Sequence, residues 1–113
     1  MPYNEQLAAR VREGLASRVE DVTEKNMFGG ICFMVNDKMC VCISRDDLLC
    51  RIGAKRVAEM AGRMGVKQMT MGERPMKDFV YVEKEQIQSA KELDYWVGLA
   101  LEFNLIAKAS KKR

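Results

Sequence analysis

Gly30-Ile31-Cys32-Phe33-Met34-Val35-Asn36-Asp37-Lys38-Met39-Cys40-Val41-Cys42-Ile43-Ser44-Arg45-Asp46-Asp47-Leu48-Leu49-Cys50-Arg51-Ile52 is the stretch on which the fold turns. Three runs rich in β-branched and apolar residues are separated by two short polar breaks, the pattern of strands joined by hairpins. Asn36-Asp37 and Arg45-Asp46 have the length of tight turns, and Asn-Asp suits the positive φ that a type I′ turn requires. Residues 27–52 therefore read as a three-stranded antiparallel meander. Gly29-Gly30 stands where its first strand begins, and glycine there indicates a bulge or a close backbone approach.

With two-residue loops and unbroken pairing, Val41 falls opposite Cys32 on one side and Cys50 on the other. One face then carries Cys32, Met34, Met39, Val41, Ile43, Leu48, Cys50 and Ile52. The second carries Ile31, Phe33, Val35, Cys40, Cys42 and Leu49, with Arg51 its only charge. An antiparallel sheet with one wet face alternates apolar and polar residues, and this one does not. Helices cover one face. A second copy of the chain is the expected cover for part of the other, which makes a homodimer.

Outward from the meander, residues 4–17 read as an amphipathic helix with Asn4 as N-cap and Leu7, Ala8, Val11 and Leu15 on its apolar side. A short helix runs from Gly53 to about Arg63, with Val57, Met60, Ala61 and Met64 facing the core and Gly62 and Gly65 ending it. Val66–Met71 reads as a fourth strand, residues 72–75 as a loop and Phe79–Val82 as a fifth strand. Ser89-Ala90-Lys91-Glu92 is a capping box. It opens the longest helix, reaching about Ala107, with Leu93, Trp96, Val97, Ala100, Leu101 and Leu105 turned inward. The result is a two-layer α+β domain over residues 1–107, ordered α-β(3)-α-β(2)-α, with helices packed on one face of an antiparallel sheet.

Composition sets the outer limits. A chain of 113 residues with 48% apolar and 31% charged content is one globular domain. No apolar run approaches the roughly 18 residues of a membrane span, and the first residues lack the basic and apolar regions of a secretory signal. The expected location is the cytoplasm, where the four cysteines stay thiols. Four of the 19 basic residues lie in a basic tail, residues 108–113, and the other 15 face 16 acidic ones. A neutral body with a basic end lacks the charged face of a nucleic-acid binder, so direct nucleic-acid binding is not expected.

The chain has no histidine, which removes the Ser-His-Asp triad, the Cys-His dyad and histidine-ligated metals. It lacks a phosphate-binding Gly-Lys-Ser/Thr run and a GxGxxG motif. No catalytic constellation is visible, no cofactor is implied, and the chain does not read as an enzyme. Cys40 and Cys42, two apart on a strand, fall on one face in the register above. They are the weak candidates for a metal or redox site, but Cys32 and Cys50 point away and cannot complete it, so core packing is the default. The segment Gly72-Glu73-Arg74-Pro75-Met76-Lys77 is the loop richest in chemistry. Arg74 and Lys77 could hold a phosphate or carboxylate there, whereas ion pairs with Glu73 or Asp78 explain the same residues structurally.

Met27-Phe28-Gly29-Gly30-Ile31-Cys32-Phe33-Met34-Val35 and Gly72-Glu73-Arg74-Pro75-Met76-Lys77-Asp78-Phe79-Val80-Tyr81-Val82 together resemble the N-terminal domain of the TfoX/Sxy family of bacterial competence regulators. The likeness spans residues 3–107. It implies the same two-layer fold and a regulatory role beside a DNA-binding transcription regulator. Full-length members carry a second, helical domain that this chain does not reach. Glu73, inserted between Gly72 and Arg74, and the Cys40/Cys42 pair depart from the family pattern. The motif residues Met27, Phe28, Gly29, Gly30, Arg74, Met76 and Lys77, with Arg51, form the candidate binding set. The expected activity is that of a non-catalytic interaction domain with a protein partner or itself. The alternative is a small-ligand, metal or redox module built on Cys40, Cys42 and the Arg74–Lys77 loop.

Overall fold

A computed structural model describes residues 3–107 apart from 28, 61 and 72, with the backbone alone at 27 and 71. Helix α1 (Glu5–Ala16) starts where Asn4 caps it, its side chain accepting from the Leu7 amide, and buries Leu7, Ala8, Val11 and Leu15. Four strands follow, β1 (Val22–Met27), β2 (Gly30–Val35), β3 (Lys38–Ser44) and β4 (Asp47–Arg51). After α2 (Ala54–Met60) come β5 (Val66–Met71) and β6 (Arg74–Val82), a short 3-10 turn, and α3 (Ala90–Asn104). The capping box is present, with Ser89 accepting from the Glu92 amide and the Glu92 carboxylate accepting from the Ser89 amide.

All six strands belong to one antiparallel sheet in the order β1-β2-β3-β4-β6-β5. The three helices pack on one of its faces. Their core gathers Leu7, Val11, Leu15, Val57, Leu93, Trp96 and Val97 against Phe33, Val41, Ile43, Leu48, Val80 and Val82. The expected α+β arrangement of helix, strands, helix, strands, helix therefore stands, with one strand more in its first group.

That extra strand is β1, and its sequence explains why the period-two pattern misses it. Thr23, Glu24, Lys25 and Asn26 are all exposed, so an edge strand with little to bury carries no alternation. Arg12 of α1 holds it by pairing with Glu24 at 2.5 Å. The hydrogen bond from Arg12 and the Coulomb attraction lower the Glu24 pKa against the opposing effect of burial.

Three other expectations need correction. Residues 74–77 are strand, not loop, because β6 begins at Arg74, directly opposite Met71. Helix α2 ends at Met60, and Met64, expected inside, is 84% exposed. Leu105 lies one residue past α3 and is likewise exposed. The basic tail, residues 108–113, lies outside the described residues.

The meander register also differs, and this has consequences for the site. Asn36 and Asp37 have positive φ, as the two-residue turn requires, and Met34 pairs with Met39. Phe33, however, pairs with Val41, leaving Cys40 as an extra residue on β3. This bulge reverses the side-chain parity beyond it. Cys32 therefore stands opposite Cys42, while Val41 pairs with Cys50 as expected.

Candidate functional site

The face of the sheet away from the helices carries a second apolar cluster. It consists of Cys32, Met34, Cys42, Leu49, Met69 and Phe79, with Met39, Met76 and Tyr81 packed against it and partly buried. Each side chain arrives there by strand parity. Cys32 and Met34 alternate along β2, Cys42 faces Cys32 from β3, Leu49 faces Cys42 from β4, and Tyr81 faces Leu49 from β6. Met69 joins from β5 at the register shift between Gln68 and Thr70.

Burial within one chain revises the argument for a second subunit. Cys32 and Leu49 are 0% exposed and Cys42 is 1% exposed, so no partner is needed to take them from water. The long side chains of Met39, Met76 and Tyr81 form the outer layer instead. The outer layer of this face is thus a skin of thioether, ring and guanidinium, not a bare apolar floor.

Arg51 closes one end of the skin. Its guanidinium carbon lies 5.8 Å from the Phe79 ring centroid and 5.7 Å from that of Phe103 on α3. It donates to the Met39 carbonyl at 3.4 Å and stands 3.9 Å from the Asp78 carboxylate. Gly53 makes room for this arrangement: a Cβ there would meet the Phe103 ring at 2.7 Å. Arg51 thus joins the second face to the end of α3.

The remaining candidate residues do not converge on one place. Gly30 pairs with Met27 in the row next to Ile31, Ile43, Leu48 and Val82. Arg74 begins β6 eight residues before Val82, roughly 25 Å away along an extended strand. Gly29-Gly30 and Arg74 therefore lie toward opposite ends of the sheet. Gly29, with φ of 70°, forms the turn, and Gly30 is buried where a Cβ would lie 1.9 Å from the Ile43 carbonyl oxygen. The close backbone approach read from the sequence is what the glycine serves. Phe28, Gly72 and the Met27 side chain lie outside the described residues. Arg74 and Lys77 are exposed, Met76 is half-buried, and Arg51 makes the ion pair with Asp78.

The bulge also separates Cys40 from Cys42. Cys40 packs into the helix-side core and Cys42 into the second cluster, so no Cys40/Cys42 face exists. Burial pushes the Cys40 thiol up to about 12, with Cys32 adding to the rise and Arg51 opposing it. A hydrogen bond with Cys32, then burial, raises Cys42, and burial raises Cys50. No group of three His, Cys, Asp or Glu side chains suited to a metal ion occurs among the described residues. The pair that the sequence reading missed is Cys32–Cys42, hidden because only the bulge brings it together.

An open six-stranded antiparallel sheet backed by three helices, its second face sealed by its own side chains, defines a two-layer α+β domain. Residues 13–104 match the model of the TfoX N-terminal domain, and the chain belongs to that family. Neither a curated protein nor a solved structure matches it. No helix among the described residues is long and apolar enough to cross a membrane.

Proposed function

We propose that this chain is a non-catalytic, cytoplasmic interaction domain that serves regulation by docking a protein on the second face of its sheet. The observation that carries the reading is the skin over that face. Met39, Met76 and Tyr81 are half-buried, Arg51 lies at one end, and the exposed Arg74 and Lys77 flank it on β6. Methionine, tyrosine and arginine are the residues enriched at protein interfaces, and flexible thioethers adapt to a partner's shape. Membership of the TfoX N-terminal family supports a regulatory role. A transcription regulator is the class of heterologous partner that the resemblance implies.

Self-association is the form to test first. Light scattering over a wide concentration range, on the chain and on Met76→Glu and Tyr81→Glu, reads the mass directly. A dimer that both substitutions convert to monomer supports docking through this face. A dimer that survives them places the interface elsewhere, and a monomer at every concentration ends the homodimer reading.

A further inference from the structure

The second cluster holds an arrangement of sulfur that packing alone does not require. Two rungs of β2 and β3 carry sulfur facing sulfur, Cys32 opposite Cys42 and Met34 opposite Met39. The Cys32 thiol donates to the Met34 Sδ at 4.0 Å. Met69 and Met76 belong to the same cluster. Thiolate and thioether are soft ligands. Zinc takes four donors from thiolate, imidazole or carboxylate, and this site has two thiols and no imidazole. Monovalent copper suits a pair of thiolates supplemented by thioether.

We propose that Cys32 and Cys42 form a Cu(I) site, with the Met34 thioether as third donor and Met39 at its entrance. Binding replaces two thiol protons: Cu(I) and two Cys–SH give a Cu(I) bis-thiolate of net charge −1 and two protons released to solvent. No electron is transferred. Metal ligation drives thiol deprotonation. The bis-thiolate carries one negative charge into the cluster that Leu49, Met69 and Phe79 complete. Met39, half-buried where Met34 is buried, offers a soft relay from solvent to the inner sulfurs.

The test is an anaerobic titration of the fully reduced chain with Cu(I) held by a chromophoric chelator, followed by the loss of chelator colour. One copper per chain is expected, with about two protons released and an apparent affinity that climbs as pH rises. Cys32→Ser and Cys42→Ser each abolish transfer, Met34→Leu weakens it, and Cys40→Ser and Cys50→Ser on the helix side leave it unchanged. Circular dichroism confirms that each variant is folded. X-ray absorption on the unmodified chain counts the sulfur neighbours without any substitution, and two or three are expected. Absence of transfer from the chelator, equal loss in the Cys40 and Cys50 variants, or a copper shell of nitrogen and oxygen overturns the proposal.

Discussion

The Asn104 side chain donates to the Val35 carbonyl at 3.1 Å, fastening the last turn of α3 to the end of β2. Asn104 is 2% exposed and is the one buried polar residue among those described. Its oxygen accepts from Asn36 at 3.4 Å, and its own backbone carbonyl receives the Lys38 ammonium at 2.8 Å. The β2–β3 turn and the helix end thus satisfy each other. Asn104→Ala removes the donor to the Val35 carbonyl and the acceptor for Asn36, which costs about 1–3 kcal/mol. Urea unfolding measures it, and a loss below about 0.5 kcal/mol means that water replaces the amide.

Gly29 and Gly30 are neighbours with different requirements, and alanine scanning separates them. Gly29 has positive φ with open space around its missing Cβ, so Gly29→Ala costs about 1–2 kcal/mol from backbone strain alone. At Gly30 the obstacle is a backbone oxygen 1.9 Å from the Cβ position, fixed in the β2–β3 ladder. No rotamer relieves it. Gly30→Ala is expected to abolish folding or shift the pairing, seen as loss of the cooperative thermal transition while Gly29→Ala retains it.

The contrast between those glycines shows what the sequence could disclose. Turn chemistry at Asn36-Asp37, the cap at Asn4 and the capping box at Ser89 were legible because each depends on a few adjacent residues. The bulge at Cys40 was not, since nothing local distinguishes Met39-Cys40-Val41-Cys42 from an unbroken strand, and tertiary packing decides which residue is spare. One extra residue changed the partner of Cys32 from Val41 to Cys42, and with it the composition of the candidate site. Likewise β1 leaves no mark in the sequence because its contribution is backbone pairing at an edge, and the start of β6 is hidden because Arg74, Pro75 and Lys77 look like a loop when their pairing partners are unknown.

Alkaline stability follows from the thiols. Cys40, Cys42 and Cys50 all have folded-state pKa values raised above the ordinary thiol value, Cys40 to about 12. The unfolded chain ionises near the ordinary value of 9.0 while the folded chain keeps its protons. Over that window the folded state binds more protons, so stability is complete below about pH 8 and falls as pH rises from about 9 toward 12. Each thiol contributes a slope of about 1.4 kcal/mol per pH unit. Urea midpoints at pH 8 and pH 10 are expected to differ clearly, and Cys50→Ala is expected to flatten the decline. A stability independent of pH across this range contradicts the burial of these thiols.

Arg51 is the residue whose replacement distinguishes geometry from charge. Its guanidinium lies near two rings, Phe79 on the sheet and Phe103 at the end of α3, while one nitrogen donates to the Met39 carbonyl. Lysine keeps the positive charge beside Asp78 but loses the plane that stacks and the fork that donates. Arg51→Lys is therefore expected to cost about 1–2 kcal/mol, from contacts each of roughly 0.5–2 kcal/mol in a partly desolvated setting. Combining it with Phe103→Leu in a double-mutant cycle tests the pairing itself. A coupling of about 0.5 kcal/mol or more places the stabilisation in the Arg51–Phe103 contact. If Arg51→Lys is neutral and the coupling vanishes, charge near Asp78 is sufficient, and the stacked geometry between sheet and helix contributes nothing to holding α3 in place.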